Sequence, residues 1–190
     1  AAMFKRIIGH WVYGGFLAGV LLLLLAPLLT AAWSTALTAT FLHLPFYMLH
    51  QYEEHDDDRF RRFFNQTIGK GQEVLSREAV FVTNVPGVWG VVAVSLYLSS
   101  EVHIGLSLIA VYLVLVNAFV HLVHAFIFRC YNPGLATALA MFVPLGIYTL
   151  RAVQMAGGGT AALHALGAGI AVAIHAAILA HVHRRLRRGA

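Results

Sequence analysis

The sequence predicts an all-α, polytopic membrane protein: a bundle of six transmembrane helices with a short interfacial helix after the second span. The 190 residues are 59% hydrophobic and 11% charged, with a mean hydropathy of +0.75. Soluble domains carry about 25% charged residues. The apolar residues also fall in long blocks rather than in amphipathic stripes, which is typical of membrane spans. Because no polar linker divides the chain, we expect one integral-membrane domain over residues 3–188.

Six apolar segments are each close to the ~20 residues that cross a bilayer. They cover residues 11–29, 33–52, 79–98, 104–127, 135–154 and 161–182. The stretch DDRFRRFFNQTIG after the second segment alternates Arg with Phe, which favours a short helix in the membrane interface. Asn132-Pro133-Gly134 predicts a tight turn between the fourth and fifth segments, or a loop that closes over a site together with Tyr131.

The positive charges predict the orientation in the membrane. If the number of spans is even, twelve of the 13 Lys and Arg residues lie on the side that holds both termini, and Arg151 alone lies opposite. This split predicts cytoplasmic termini in a bacterial-type inner membrane. The isoelectric point near 9.7 then reflects topology and contact with inner-leaflet lipids, and we expect no nucleic-acid partner.

Polar residues on the second segment share one helical face. His43, His50 and Glu54 recur at i, i+7 and i+11, and Glu53 lies beside His50. Ionisable residues within a membrane are costly and usually face a bundle interior or a cavity. The stretch from His50 to Glu54 therefore predicts a site near the cytoplasmic end of this segment.

Polar residues on three other segments lie at a similar depth. Asn117, His121 and His124 recur at i, i+4 and i+7 of the fourth segment, and His121 lies eight residues before Arg129, about 12 Å deep. Asn84 of the third segment and His175 of the sixth lie close to the same level. We therefore expect side chains from four helices to meet in the cytoplasmic third of the membrane.

Other polar residues have simpler interpretations. A hydrogen bond to a carbonyl freed by Pro45 would account for His43. The aspartates 56–58 lie past the membrane boundary and are expected to be solvated and replaceable. Water is expected to satisfy the histidines at predicted span ends, namely His10, His55, His103 and His164.

Several stretches in order resemble the HXXEE family of multi-pass membrane proteins over roughly residues 40–150. They are HQYEE (50–54), RFRRFFN, AVFVTNVPGVW, NAFVH (117–121) and RCYNPGLATALAMFVPLG (129–146). The resemblance implies no particular reaction. The resemblance implies that five positions are important: His50, Glu53, Glu54, Asn117 and His121.

The residue types favour a metal site first. Imidazole and carboxylate ligands without thiolate suit a divalent ion, zinc or non-haem iron, held between facing helices. The candidate ligands are His50, Glu54, His121, His124 and His175. The candidate catalytic residues are Glu53 as general acid–base or further ligand, and Asn84 and Asn117 as groups that orient ligands.

Two alternatives remain open at this point. A buried Glu beside a His could move protons without a metal, as in an acid–base isomerase. The same residues could also form the relay of a proton or metal-ion transporter or sensor. For either enzyme, the substrate is expected to be a lipid, an isoprenoid or another hydrophobic small molecule. The favoured prediction is a metal-dependent hydrolase or oxidoreductase.

Overall fold

The computed structural model describes residues 2–189, whose regular structure is entirely helical. Short turns connect the helices, and a 3₁₀ turn, Asp56–Asp58, separates the second helix from the third. The helices are α1 (Ala2–Leu29), α2 (Thr35–His55), α3 (Arg59–Thr67), α4 (Arg77–Glu101), α5 (Ile104–Phe128), α6 (Leu135–Met155) and α7 (Ala161–Gly189).

Five helices are long and apolar enough to cross a membrane, which indicates an integral membrane protein: α1, α4, α5, α6 and α7. Five of the six predicted spans fall within them. The remaining one, 33–52, corresponds to α2, which does not reach the same hydropathy because its second half carries the polar HQYEEH segment. A short helix, α3, follows α2.

The centre of the bundle is α2, which packs against α1, α4, α5 and α6. Tyr47 of α2 meets Val92 of α4, Val114 of α5 and Phe142 of α6 in the main apolar core. All four side chains are buried. Removing a side chain as large as Phe142 from such a core costs about 3–5 kcal/mol, so this cluster fixes the relative positions of the four helices.

The outer helices α1 and α7 bury fewer residues. α1 lies along α2 at a close approach centred on Gly19, where a Cβ would lie 2.9 Å from Met48 Cβ and 3.1 Å from the Pro45 carbonyl oxygen. Only glycine permits this spacing without a shift of α1. α7 packs chiefly against α5.

Two helices widen locally next to prolines. α4 is π-helical over Thr83–Trp89, which contains Pro86, and α6 is π-helical over Ala138–Phe142, just before Pro144. Proline removes one i→i−4 hydrogen bond and its ring clashes with the preceding turn, and both effects favour such a bulge. Both widened segments contact the polar half of α2, because Asn84 and Phe142 lie within them.

The aspartates after α2 are not uniformly solvated, contrary to the expectation from sequence. Asp57 is exposed and pairs with Arg62 at 2.7 Å. Asp58 instead accepts hydrogen bonds from Arg61 Nη2 at 2.6 Å and from Arg77 Nε at 3.2 Å. This carboxylate therefore connects α3 to the first turn of α4. Partial burial raises the pKa of Asp58, but the hydrogen bonds and charges of Arg61 and Arg77 outweigh it and hold that pKa below its ordinary value.

Asp58→Asn should lower the unfolding temperature at pH 7, with a loss of about 1 kcal/mol, because Arg61 and Arg77 lose their shared carboxylate. A carboxylate with a lowered folded pKa stabilises the fold above its unfolded pKa, and this contribution disappears as the pH falls through the folded pKa. The difference from wild type should therefore vanish in acid. Thermal unfolding followed by circular dichroism measures it, and Asp57→Asn serves as the exposed control. An equal effect of both variants would contradict the assignment.

Candidate metal centre

Three buried side chains from two helices converge at one point. His50 and Glu54 lie one turn apart on α2, and His121 projects from α5, with the two imidazole centroids 5.2 Å apart. One oxygen of Glu54 lies 3.5 Å from His50 Nε2, and the other lies 3.5 Å from His121 Nε2. One ligand atom from each residue fits within 4.8 Å of the others. We refer to these three residues as the His–Glu–His cluster.

The turn after α5 fixes the tautomer of His121. The amide Nδ2 of Asn132 donates to the backbone carbonyl of His121 at 2.9 Å, which leaves Oδ1 as an acceptor 2.6 Å from His121 Nδ1. His121 Nδ1 must therefore carry the ring proton and donate it to Asn132. Its other ring nitrogen, Nε2, then presents a lone pair toward Glu54.

A second chain of hydrogen bonds fixes the tautomer of His50. The Thr137 hydroxyl donates to the Glu53 carboxylate through a short contact, so its oxygen is left to accept from His50 Nδ1 at 2.8 Å. His50 Nε2 consequently also carries a lone pair. It has no hydrogen-bond partner among the described residues, and it faces Glu54.

This arrangement concentrates electron pairs in a buried space. In the neutral tautomers described above, two imidazole lone pairs and one carboxylate face one another, and no Lys or Arg among residues 2–189 pairs with Glu54. Burying such groups without compensation is costly. A divalent cation or a shared proton placed among them would remove the repulsion. The donor set of two imidazoles and one carboxylate is typical of zinc and non-haem iron sites.

Gly134 closes one side of the cluster. Residues 132–135 form a turn in which the Leu135 amide donates to the Asn132 carbonyl at 3.1 Å, with Gly134 at φ +96° and ψ −14°. This is the type II geometry that Pro133-Gly134 predicts. A Cβ on Gly134 would lie 2.7 Å from His121 Cε1 and 2.9 Å from His50 Cε1. Both the backbone angle and the space therefore require glycine.

Glu53, predicted from sequence as a further ligand or the general acid–base, lies outside the cluster. Its carboxylate accepts from the amides of Ala136 at 3.2 Å and Thr137 at 2.7 Å, as well as from the hydroxyls of Thr137 and Tyr131. It thus caps the N-terminus of α6, where the first amides have no partner within the helix. Partial burial and the bond to Glu53 raise the pKa of Tyr131 to about 12.

His55 is buried, contrary to the expectation that water would satisfy it. Its Nε2 lies 3.1 Å from the Glu54 carboxylate, and its ring packs against Trp11 and Phe60. The predicted span ended at residue 52, but α2 continues to His55 and α3 folds back over it. The one feature of the sequence that could have indicated this burial is that His55 directly follows Glu54.

The two asparagines predicted as catalytic residues differ in their contacts. Asn84 accepts from Gln51 Nε2 at 2.9 Å and donates to the Val80 carbonyl at 2.9 Å. Gln51, which sequence reasoning missed, also accepts from Trp89 Nε1 at 2.6 Å. Asn84 therefore holds α4 against α2 rather than approaching the cluster. The Asn117 amide oxygen is buried without a hydrogen-bond partner among residues 2–189.

Two predicted ligands, His124 and His175, do not join the cluster. Three residues are less than a full helical turn, so His124 is rotated away from His121, and its ring lies between Phe64 and Phe128. His175 Nδ1 donates to the Ala171 carbonyl of its own helix at 2.8 Å. His43 contacts the Thr149 hydroxyl at 3.1 Å instead of a carbonyl freed by Pro45.

A cavity of about 250 Å³ extends from the cluster between α2, α4, α5 and α7. Glu54, His55 and His121 form one end. Most of the remaining wall is aliphatic or aromatic, and the four other nitrogen-bearing side chains along it are Asn84, Asn117, His124 and His175. The residues that miss the cluster thus line the space that leads to it.

The motif His50-x-x-Glu53-Glu54 supplies two members of the cluster, His50 and Glu54, and the cap of α6, Glu53. The family described as "Protein of unknown function with HXXEE motif" matches residues 41–149, more than half of the chain. No curated protein and no solved structure matches the chain. The chain belongs to the HXXEE family.

Proposed function

We propose that this protein is a membrane-embedded, metal-dependent enzyme whose His50, Glu54 and His121 bind one divalent ion. The observation that carries the proposal is the pair of fixed tautomers. Asn132 and Thr137 hold the Nδ1 protons of the two histidines, so both Nε2 lone pairs point toward the Glu54 carboxylate. Metal-binding histidines are oriented by hydrogen bonds from their other ring nitrogen in the same way.

Three protein ligands leave coordination positions free, as in catalytic rather than structural sites. Zinc or non-haem iron fits two imidazoles and one carboxylate. When bound, the ion would supply Lewis-acid chemistry to a substrate or a water molecule. His55, whose Nε2 lies 3.1 Å from Glu54, is the nearest further group able to accept or release a proton.

The lining of the cavity supports the class of substrate that we propose. Its largely apolar wall leads from Glu54 and His121 to exposed apolar residues of α5 and α7. A lipid, an isoprenoid or another hydrophobic small molecule suits this space. A hydrolase or an oxidoreductase is the reaction class we propose.

A second candidate, a metal-independent acid–base isomerase, is favoured by one observation. Glu54 has three histidine neighbours within 3.5 Å, and it faces the cavity. A proton shared between Glu54 and one imidazole would relieve the same repulsion that a metal ion relieves. Such a pair could move a proton along an apolar substrate.

The orientation proposed for the chain places the cluster near the cytoplasmic face of a bacterial-type inner membrane. We propose that α2 also crosses the membrane, which brings the number of spans to six. Its 21 residues reach about 32 Å at 1.5 Å per residue, close to the thickness of the hydrocarbon core. With six spans both termini are cytoplasmic, and α3 lies in the interface with Phe60 and Phe64 turned inward.

Reporter fusions test this orientation. A reporter after Gly157, in the turn between α6 and α7, should report the periplasmic side, and one after the C-terminus should report the cytoplasm. The Lys and Arg split supplies the reason. If both positions report the same side, α2 or another helix does not cross and the proposed depth of the cluster is wrong.

His50→Ala, Glu54→Gln and His121→Ala should each abolish stoichiometric metal binding. Each variant removes one of three protein ligands, and we expect at least a ~100-fold loss of affinity, beyond what loss of a supporting contact causes. Elemental mass spectrometry of purified protein, after reloading with zinc or ferrous iron, measures the bound metal.

The matched control for these variants is His43→Ala, which removes another fully buried histidine of α2 and should keep the metal. Wild-type protein that cannot be loaded with either ion would contradict the metal site. That result would favour the acid–base alternative, in which the same three variants should still lose activity.

Thr137→Val should weaken metal binding by about 10- to 100-fold, the usual effect of losing a group that orients a ligand. Valine keeps the shape of threonine but cannot accept a hydrogen bond from His50 Nδ1. Thr137→Ser keeps the hydroxyl and should bind nearly as tightly as wild type. Competition against a chelator measures both dissociation constants. Equal affinities for the Val and Ser variants would show that the hydroxyl does not orient His50.

A further inference from the structure

The cavity wall contains no Lys or Arg among the described residues, and its only carboxylate is Glu54. Proteins bind buried phosphates and carboxylates with Arg, Lys or several amide donors. The four nitrogen-bearing side chains away from the cluster are two asparagines and two histidines. Away from the ion proposed for the His–Glu–His cluster, an anionic headgroup would therefore lose its hydration without meeting a Lys or Arg.

Two buried polar atoms of the wall lack a hydrogen-bond partner among the described residues: His55 Nε2 beside Glu54, and the amide oxygen of Asn117 away from it. Asn117 lies on α5 one turn before His121, and its amide oxygen is buried without a hydrogen bond. Leaving a buried amide unpaired is unfavourable. A hydroxyl group can both donate and accept, so an alcohol placed there satisfies the amide in either orientation.

The cavity reaches the lipid-facing surface of the bundle. Phe119 of α5 and Leu179 of α7 line it, and their side chains are 64% and 56% exposed. The gap that these two side chains line joins the cavity to the surface that faces acyl chains in the orientation proposed above.

The size of the cavity limits the ligand. An apolar cavity of about 150 Å³ accommodates benzene, with six carbon atoms. In the same proportion, a cavity of about 250 Å³ accommodates roughly ten carbon atoms. A longer chain would extend through the gap into the bilayer.

We infer that the cavity binds an uncharged, single-chain lipid alcohol, inserted from the bilayer with its hydroxyl between Asn117 and the His–Glu–His cluster. This inference deepens the proposed function, on which it rests for the identification of the cavity as a substrate site. Glu54 and His121 then meet the hydroxyl-bearing end of the ligand. Phe119 and Leu179 contact its chain where it leaves the protein.

The test uses full-length protein in phospholipid nanodiscs and a decan-1-ol probe with a diazirine on the chain. After irradiation, peptide mapping should locate cross-links on the cavity-facing residues of α5 and α7, including Val120 and Ile178. In metal-free protein, excess decan-1-ol should reduce labelling several-fold, whereas decanoate and decyl phosphate should not. Competition by either anion equal to that by decan-1-ol would overturn the inference.

Variants test the position of the ligand. Ile178→Trp should fill the cavity and abolish labelling, whereas Val172→Trp, on an exposed face of the same helix, should not. Asn117→Leu, which keeps the side-chain volume, should lower the affinity for decan-1-ol roughly five- to ten-fold. Labelling that Ile178→Trp leaves intact would place the ligand elsewhere and contradict the inference.

Metal analysis of the same samples separates the two proposals. Specific labelling of protein that cannot be loaded with metal would support the alcohol site and contradict the metal enzyme. Protein that can be loaded with metal, but whose metal-free form binds decan-1-ol no better than decanoate, would contradict the alcohol site alone. Circular dichroism of each variant confirms that the helical fold is retained.

Discussion

The burial of Glu54 is the constraint on which the rest of the structure depends. A carboxylate inside an apolar bundle is stable only if nearby groups compensate its charge. Three histidines surround this one, two on α2 itself and one on α5. In the proposed site a metal ion or a shared proton compensates the charge, and because the side chains that would hold it come from two helices, the positions of α2 and α5 are coupled through this carboxylate.

The turn between α5 and α6 extends this coupling to a third helix. Asn132 binds His121, Gly134 packs against both cluster histidines, and Thr137 binds His50. Glu53 of α2 caps the first turn of α6. One short segment thus orients both imidazoles and is itself held by α2. Small movements of this turn would change the directions of both lone pairs, so its geometry is part of the site.

The sequence predicted the cluster but not the groups that orient it. Helical spacing places His50 and Glu54 on one face, and the distance from Arg129 gives His121 a matching depth. The same spacing favoured His124, which instead meets the aromatic side chains of α3. Asn132 and Thr137 could not be assigned, because their directions depend on a turn at positive φ and on where α6 meets α2. His55 was missed because the apolar residues that define the predicted span end at residue 52, whereas α2 continues to His55.

The low hydropathy of α2 follows from its place in the fold. Hydropathy identifies helices that face lipid, whereas α2 is surrounded by α1, α4, α5 and α6. Its polar side chains meet partners on those helices: Gln51 meets Asn84, His43 meets Thr149, and Thr40 meets Ser107. These contacts give Gln51, His43 Nε2 and Thr40 protein partners, so the helix can be central and polar at once. A polar helix held in this way can carry a reactive site inside a membrane protein, because apolar neighbours keep it from the acyl chains.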